Sequence, residues 1–138
     1  MNRRTLLTTV SGLGMLALGD IVAGADKDDD KHEHEEECAE ECAECEEECL
    51  ECVAHCIDLL AAGKPVKGCL AACLDCADAC SACHKICTRG GPAMKAMQTA
   101  CGAACDLCAA ECEKHQDDKV MAECAKQCRK CAAECRGK

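Results

Sequence analysis

The chain has 138 residues and a formal net charge of −10, so it is long enough for one domain and poorly suited to nucleic acids or anionic membranes. It contains 20 cysteines and no Trp, Tyr or Phe, and a core of ordinary size is difficult to assemble unless the thiols lie inside it. No Ser/His/Asp set, phosphate-binding loop or pair of carboxylates stands out, and we therefore expect no enzymatic activity.

Residues 1–25 have the features of a targeting signal that is removed from the mature chain. Arg3 and Arg4 begin a twin-arginine motif, an apolar stretch short for a membrane span runs from Val10 to Val22, and small residues for cleavage end at Ala25. The twin-arginine route exports proteins that have already folded. We therefore predict a periplasmic or extracytoplasmic protein, free of the membrane after cleavage, whose thiols are buried before it leaves the reducing cytosol.

The rest of the chain alternates helical stretches with short connections. Residues 26–33 are acidic and predict a solvated lead-in, whereas residues 34–138 predict one bundle domain. Pro92 suits the first position of the third helix, and Asp117 or Asp118 is suited to cap the fourth. The expected helices run from about His34 to Ala62, from Val66 to Arg89, from Pro92 to His115, and from Asp118 to Arg136.

The cysteines fall into four runs in which steps of four and three residues alternate. This spacing is typical of the inward seam of a helix that packs against other helices. The runs consist mainly of good helix formers and contain no proline. We therefore predict an all-α fold, an antiparallel up-down-up-down four-helix bundle with a cysteine-lined core. The seam residues are Cys38, Cys42, Cys45, Cys49, Cys52, Cys56, Cys69, Cys73, Cys76, Cys80, Cys83, Cys87, Cys101, Cys105, Cys108, Cys112, Cys124, Cys128, Cys131 and Cys135.

Three other roles for these cysteines fit the sequence less well. Single cysteines are often small core residues, but 20 in one register, with almost no Leu or Ile in the seam, are not expected from packing alone. Neighbours on one helix have Cβ atoms about 5–6 Å apart, whereas a disulfide needs about 3.8 Å, so only bridges between helices remain open. Iron–sulfur clusters use tightly spaced loops, commonly with a closing Cys-Pro, and no such loop occurs.

Binding of many soft metal ions is the interpretation that we favour. The net charge that each metal would leave in the core indicates which metal is bound. An apolar tube cannot tolerate 20 thiolates unless their charge is neutralised. A tetrathiolate zinc site leaves two excess negative charges per ion, whereas one Cu(I) per thiolate leaves none. Cu(I) also prefers soft ligands, which Cys-x-x-x-Cys pairs such as Cys38 and Cys42 supply on one helix face. Zinc or cadmium buffering, as in metallothioneins, stays open, as does a thiol redox-stress sponge.

With these features the chain resembles the bacterial four-helix-bundle copper storage proteins, in the exported branch with a twin-arginine leader. The resemblance covers essentially all of residues 26–138 and rests on the repeated Cys-x-x-x-Cys seams, the absent aromatics and the leader. It implies high-capacity storage of Cu(I), roughly one ion per core cysteine, with Met and His at one mouth of the tube. It also implies a homotetramer, with copper donor and acceptor proteins as partners in metal homeostasis. The chain has more core cysteines than some exported relatives.

Continuing the seams beyond the cysteines predicts which soft ligands lie at the two ends of the tube. His34, Met94 and Met97 are expected at one end, and His115 and Met121 at the other, where Leu59 and Val66 accompany them. Thioether and imidazole are weaker ligands for Cu(I) than thiolate, and they suit a mouth from which ions pass to deeper thiolates. We favour the end with His34, Met94 and Met97 as the mouth, because the other end has more aliphatic cover.

Overall fold

The computed structural model describes residues 26–137, with side chains from Glu33 onward. The proposed signal peptide, residues 1–25, lies outside the described residues. The chain forms four α-helices, α1 (Asp26–Ala61), α2 (Lys67–Thr88), α3 (Met94–Cys112) and α4 (Lys119–Cys135), with a 3-10 turn (Glu113–His115) between the last two. The predicted all-α four-helix fold is confirmed.

Helix α1 begins earlier than the sequence indicated. It starts at Asp26, eight residues before the expected start near His34, so the expectation of a non-helical lead-in over residues 26–33 is wrong for the backbone. The segment contains no glycine or proline, and acidic residues favour helix at an N-terminus because they complement the positive end of the helix dipole. The 36 residues of α1 span about 54 Å. Because Cys38 contacts Cys135 at the end of α4, the part of α1 before Cys38 extends beyond that end.

The start of α3 also differs from the prediction. The helix begins at Met94 rather than at Pro92, because the Met94 amide donates to the Gly91 carbonyl at 3.0 Å and closes a turn that contains the proline. Gly90, which has a φ of 60°, ends α2 in the left-handed region that glycine adopts without strain. At α4, the Asp118 side chain accepts from the Met121 amide at 3.1 Å, so Asp118 is the cap.

The four helices surround one core in up-down-up-down order. Helix α1 packs on α2, α2 on α3, and α3 on α4, and α4 closes the ring on α1. The core consists of the seam cysteines with a few alanines, Val66 and Met121. Within the described part of the chain, no helix combines the length and the apolar character needed to cross a membrane.

Candidate metal centre

All 20 cysteine side chains point into the core. Each is at most 4 % exposed, and Cys87 and Cys135 are the most accessible. The seam explains this arrangement, since steps of three and four residues keep successive side chains on one face of each helix. The thiols are unbridged. Even the close Sγ–Sγ contact of 3.3 Å between Cys69 and Cys112 is well beyond the roughly 2.0 Å of a disulfide bond.

The middle of the tube consists of three layers in which every helix contributes one cysteine. Neighbouring sulfurs within these layers make Sγ–Sγ contacts of 3.5–4.0 Å. Contacts of similar length join successive layers, as between Cys49 and Cys128 at 3.8 Å. The sulfurs therefore form a continuous column. In order along the axis, the layers are Cys42, Cys80, Cys101 and Cys131; Cys45, Cys76, Cys105 and Cys128; and Cys49, Cys73, Cys108 and Cys124.

One further layer lies at each end of these three layers, and it contains three cysteines and one other residue. Cys38, Cys83 and Cys135 form one of them. Gln98 occupies its fourth corner. Cys80 of α2 contacts Cys101 of α3 at 3.6 Å, and the next core-facing residues toward this end of the bundle are Cys83 on α2 and Gln98 on α3. Gln98 is the buried polar side chain of the described core, at 5 % exposure.

The layer at the opposite end contains a methionine in its fourth corner, which belongs to α4. Cys69 lies 4.0 Å from Cys52 and 3.3 Å from Cys112. Cys124 contacts Cys49 in the neighbouring layer. The next core-facing residue on α4 toward this end is Met121, which is fully buried and therefore occupies the fourth corner. Cys56 and Cys87 lie outside the five layers, one at each end.

Groups of four sulfurs that could hold a metal ion overlap along the column. In each group the Sγ atoms all lie within 4.8 Å of one another, and single cysteines belong to more than one group. Cys42, for example, belongs to a group with Cys38, Cys83 and Cys135 and to another with Cys101, Cys131 and Cys135. Such sharing suits many ions of low coordination number better than a few separate tetrahedral sites.

Burial and neighbouring thiols change the acidity of the column. Burial raises the pKa of Cys56 to about 12 and that of Cys87 to about 11, with repulsion from nearby thiolates adding to the effect. The pKa of Cys76 is held below its usual range because Cys105 and other neighbouring thiols hydrogen-bond to it, and those of Cys101 and Cys124 are lowered in the same way. Without metal, the column is a network of S–H···S contacts in which most sulfurs can either donate or accept.

The end of the bundle near the first connection is closed by apolar side chains. Leu59, Val66, His115 and Met121 line one pocket there, as their positions on the seams predicted. Asp118 is held from two sides, since one carboxylate oxygen caps α4 and the other lies 2.7 Å from His55 Nε2. That interaction with His55 helps to keep the pKa of Asp118 below its usual range, against the opposing effect of burial.

The other end carries the remaining predicted ligands. Met94 and Met97 are partly buried against the cysteine core. His34 lies against the C-terminal end of α4, where a Cβ atom at Gly137 would be 3.1 Å from its Nε2. His34, Met94 and Met97 are therefore at the same end of the bundle as Cys38, Cys87 and Cys135, with His34 on α1 and the two methionines on α3.

The model of one protein family, described as copper storage protein, matches residues 31–138. The chain belongs to the copper storage protein family. A Cu(I)-bound copper storage protein, BsCsp3, has a similar solved structure, with a TM-score of 0.67 and 32 % sequence identity over 75 % of this chain and 96 % of that chain. A comparison with curated proteins gave no significant match.

Two residues that lie beside the sulfurs were not among the ligands predicted from the sequence. Gln98 occupies a seam position one turn before Cys101, so the four-three spacing was sufficient to place it among the sulfurs. His84 directly follows Cys83 and faces α1, where its Nδ1 lies 2.9 Å from the Ala39 carbonyl. No spacing rule singles out His84, because its orientation depends on a contact with α1.

Proposed function

We propose that this chain stores Cu(I) in bulk, on the order of one ion per core cysteine. The observation that carries the proposal is the continuous column of buried sulfurs, with Sγ–Sγ contacts of 3.3–4.0 Å from Cys38 to Cys69. Each Cu(I) that replaces a thiol proton leaves no net charge in the column, so filling adds no uncompensated charge to a low-dielectric interior.

The layered geometry favours Cu(I) over Zn(II). Five layers could hold about five tetrahedral Zn(II) ions, and each tetrathiolate site would bury two excess negative charges, which is costly where no cation faces the sulfurs. In addition, the two outer layers provide only three thiols each. Two or three shared sulfurs satisfy Cu(I), and the overlapping groups provide such sets along the whole column.

Anaerobic titration of the reduced mature protein tests this proposal. Cu(I) is added in the presence of a chromophoric chelator, and the number of ions withheld from the chelator is recorded. We expect saturation at about the cysteine count of 20. Saturation near five ions would favour tetrathiolate zinc-like sites, and the absence of tight uptake would favour a redox sponge.

Copper enters, in this proposal, at the end with His34, Met94 and Met97. The opposite end is covered by Leu59 and Val66, which supports this direction. We expect the combined variant His34→Ala, Met94→Leu, Met97→Leu to load Cu(I) more slowly, and to release it more slowly to a chelator, at nearly unchanged capacity. The control is His115→Ala with Met121→Leu. Slower exchange in the control alone would reverse the direction.

Further proposals concern the localisation, the oligomeric state and the partners of the protein. The twin-arginine start at Arg3 and Arg4 supports export and maturation after Ala25. Four large aliphatic side chains of the described residues are exposed, which supports assembly into a homotetramer; they are Leu50, Ile57, Leu74 and Leu107. The storage role implies copper donor and acceptor proteins and no catalysis, and the net charge of −10 argues against nucleic-acid or membrane partners. N-terminal sequencing and light scattering of the exported protein test the first two.

A further inference from the structure

A groove of about 490 Å³ lies between α1 and α2 near the open end of the bundle. Its walls include Glu36 and Glu40 from α1, and His84 and Cys87 from α2. It opens to the side of the bundle, whereas Met94 and Met97 belong to α3. The groove therefore gives solvent a second approach to the outermost sulfur of α2.

Cys87 connects this groove with the sulfur column. At 4 % exposure it is the most accessible cysteine, and its Sγ lies 3.8 Å from that of Cys83. Cys83 in turn lies within 4.8 Å of the Sγ atoms of Cys38, Cys42 and Cys135. An ion on Cys87 is thus one sulfur contact away from the first layer.

His84 is held in the orientation and tautomer that a metal ligand requires. Its Nδ1 lies 2.9 Å from the Ala39 carbonyl, and because a carbonyl only accepts, Nδ1 carries the proton and Nε2 keeps its lone pair. Metal-binding histidines are commonly oriented by such a bond to a backbone carbonyl. His84 and Cys87 are three residues apart, so their side chains lie on the same face of α2.

The charges around the groove favour a cation. Glu36 and Glu40 contribute carboxylates to its α1 wall. The Arg89 guanidinium, which also lines the groove, donates to the Lys85 carbonyl at 3.0 Å and is thereby held along its own helix. Carboxylates are poor ligands for Cu(I), but they raise the local concentration of cations.

We propose that His84 and Cys87 form the first thiol-containing site for Cu(I) that enters at this end of the bundle, a two-ligand site that opens sideways between α1 and α2. The inference rests on the proposed function, since it takes the cargo to be Cu(I). On capture, Cu(I) replaces the thiol proton of Cys87, which leaves to water in the groove, and His84 Nε2 supplies the second ligand. Transfer exchanges His84 for the Cys83 sulfur, whose proton also leaves to water, and copper stays Cu(I) throughout.

Loading kinetics of His84 variants test this site on the reduced mature protein. The probe is Cu(I) delivered from a weak chelator, followed by stopped flow. His84→Gln keeps a side-chain amide that can donate to the Ala39 carbonyl but has no basic nitrogen lone pair to offer Cu(I), so it separates ligation from structure. We expect at least tenfold slower loading in His84→Gln, since even outer-shell substitutions cost metal sites that much. The matched control is His55→Gln, a half-buried histidine at the far end, which should load at the wild-type rate.

A spectroscopic measurement identifies the ligand directly. Ag(I), a redox-stable substitute for Cu(I), added until uptake is complete should shift the Nε2 resonance of His84 in ¹⁵N-labelled protein and leave that of His55 in place. Wild-type loading in His84→Gln, together with an unshifted His84 resonance, would overturn the inference while full copper capacity kept the storage proposal intact. Failure of the wild-type protein to take up Cu(I) would overturn both.

Discussion

At the scale of single residues, each seam cysteine provides packing volume and, in the proposed function, a metal ligand in the same side chain. A protonated thiol behaves as a small hydrophobe, so the core can form before metal arrives. Gln98 and Met121 are the exceptions within the five layers. An amide oxygen is a hard ligand and a thioether a weak soft one, so neither is expected to hold Cu(I) as a thiolate does.

Gln98 offers a direct test of this division. Gln98→Cys completes a fourth sulfur in the layer of Cys38, Cys83 and Cys135, and we expect its capacity to rise by about one Cu(I). Native mass spectrometry of the loaded protein measures the change. Gln98→Leu, which has a similar size and no ligand, is the control and should match the wild type. Loss of bound copper in Gln98→Leu would show that the amide is itself a ligand.

At the scale of helices, the seam spacing was sufficient to predict four helices, their order and their shared axis. In the structure, cysteines of α2 and α3 meet at equal heights, as Cys73 and Cys108 do at 3.5 Å. The start of α1 was missed because an acidic run is compatible both with a solvated coil and with a helix whose dipole it stabilises. Pro92 was misplaced because proline is equally suited to a turn and to a first helical position.

The choice between Asp117 and Asp118 as the cap of α4 shows the same limit. Both are good capping residues, and only the backbone decides that the Asp118 carboxylate reaches the Met121 amide. His84 was missed for a related reason, since its orientation depends on the Ala39 carbonyl of another helix.

Capping of α4 yields a stability prediction. Asp118→Ala removes both the bond to the Met121 amide and the interaction with His55, and we expect it to lower the free energy of unfolding by about 1–2 kcal/mol. Asp117→Ala, at the exposed neighbouring residue, is the matched control and should have little effect. Denaturant unfolding of the reduced metal-free protein measures both. Equal losses in the two variants would contradict the assignment of the cap.

At the scale of the whole molecule, the metal-free protein is expected to be helical and folded, with neutral thiols in its core. The raised pKa values of Cys56 and Cys87, about 12 and 11 against an ordinary 9, link folding to pH. Below pH 9 these thiols are protonated in both states, and their contribution is fully present. Above it the unfolded chain loses the protons first, so stability falls as pH rises through 9 toward 11–12.

We therefore expect the reduced metal-free protein to lose about 1 kcal/mol of unfolding free energy for each such thiol between pH 8 and 10. Anaerobic denaturant unfolding followed by far-UV circular dichroism measures this loss. Copper-loaded protein is the control, because its sulfurs have already released their protons, and its stability should depend much less on pH in this range. A disordered metal-free spectrum at pH 7 would instead indicate folding that requires metal.

The two ends of the molecule give the tube a direction, with Leu59, Val66 and Met121 at one end and the groove beside Cys87 at the other. The central claim is that Cu(I) occupies the whole column between them. Crystals of the mature protein loaded anaerobically with Cu(I), with anomalous scattering recorded on both sides of the copper edge, test it most directly. We predict copper sites along the axis through all five layers, each held by two or three sulfurs and together approaching the cysteine count of 20. About five separate ions, each held by four sulfurs, or copper confined to the outside of the bundle, would contradict it.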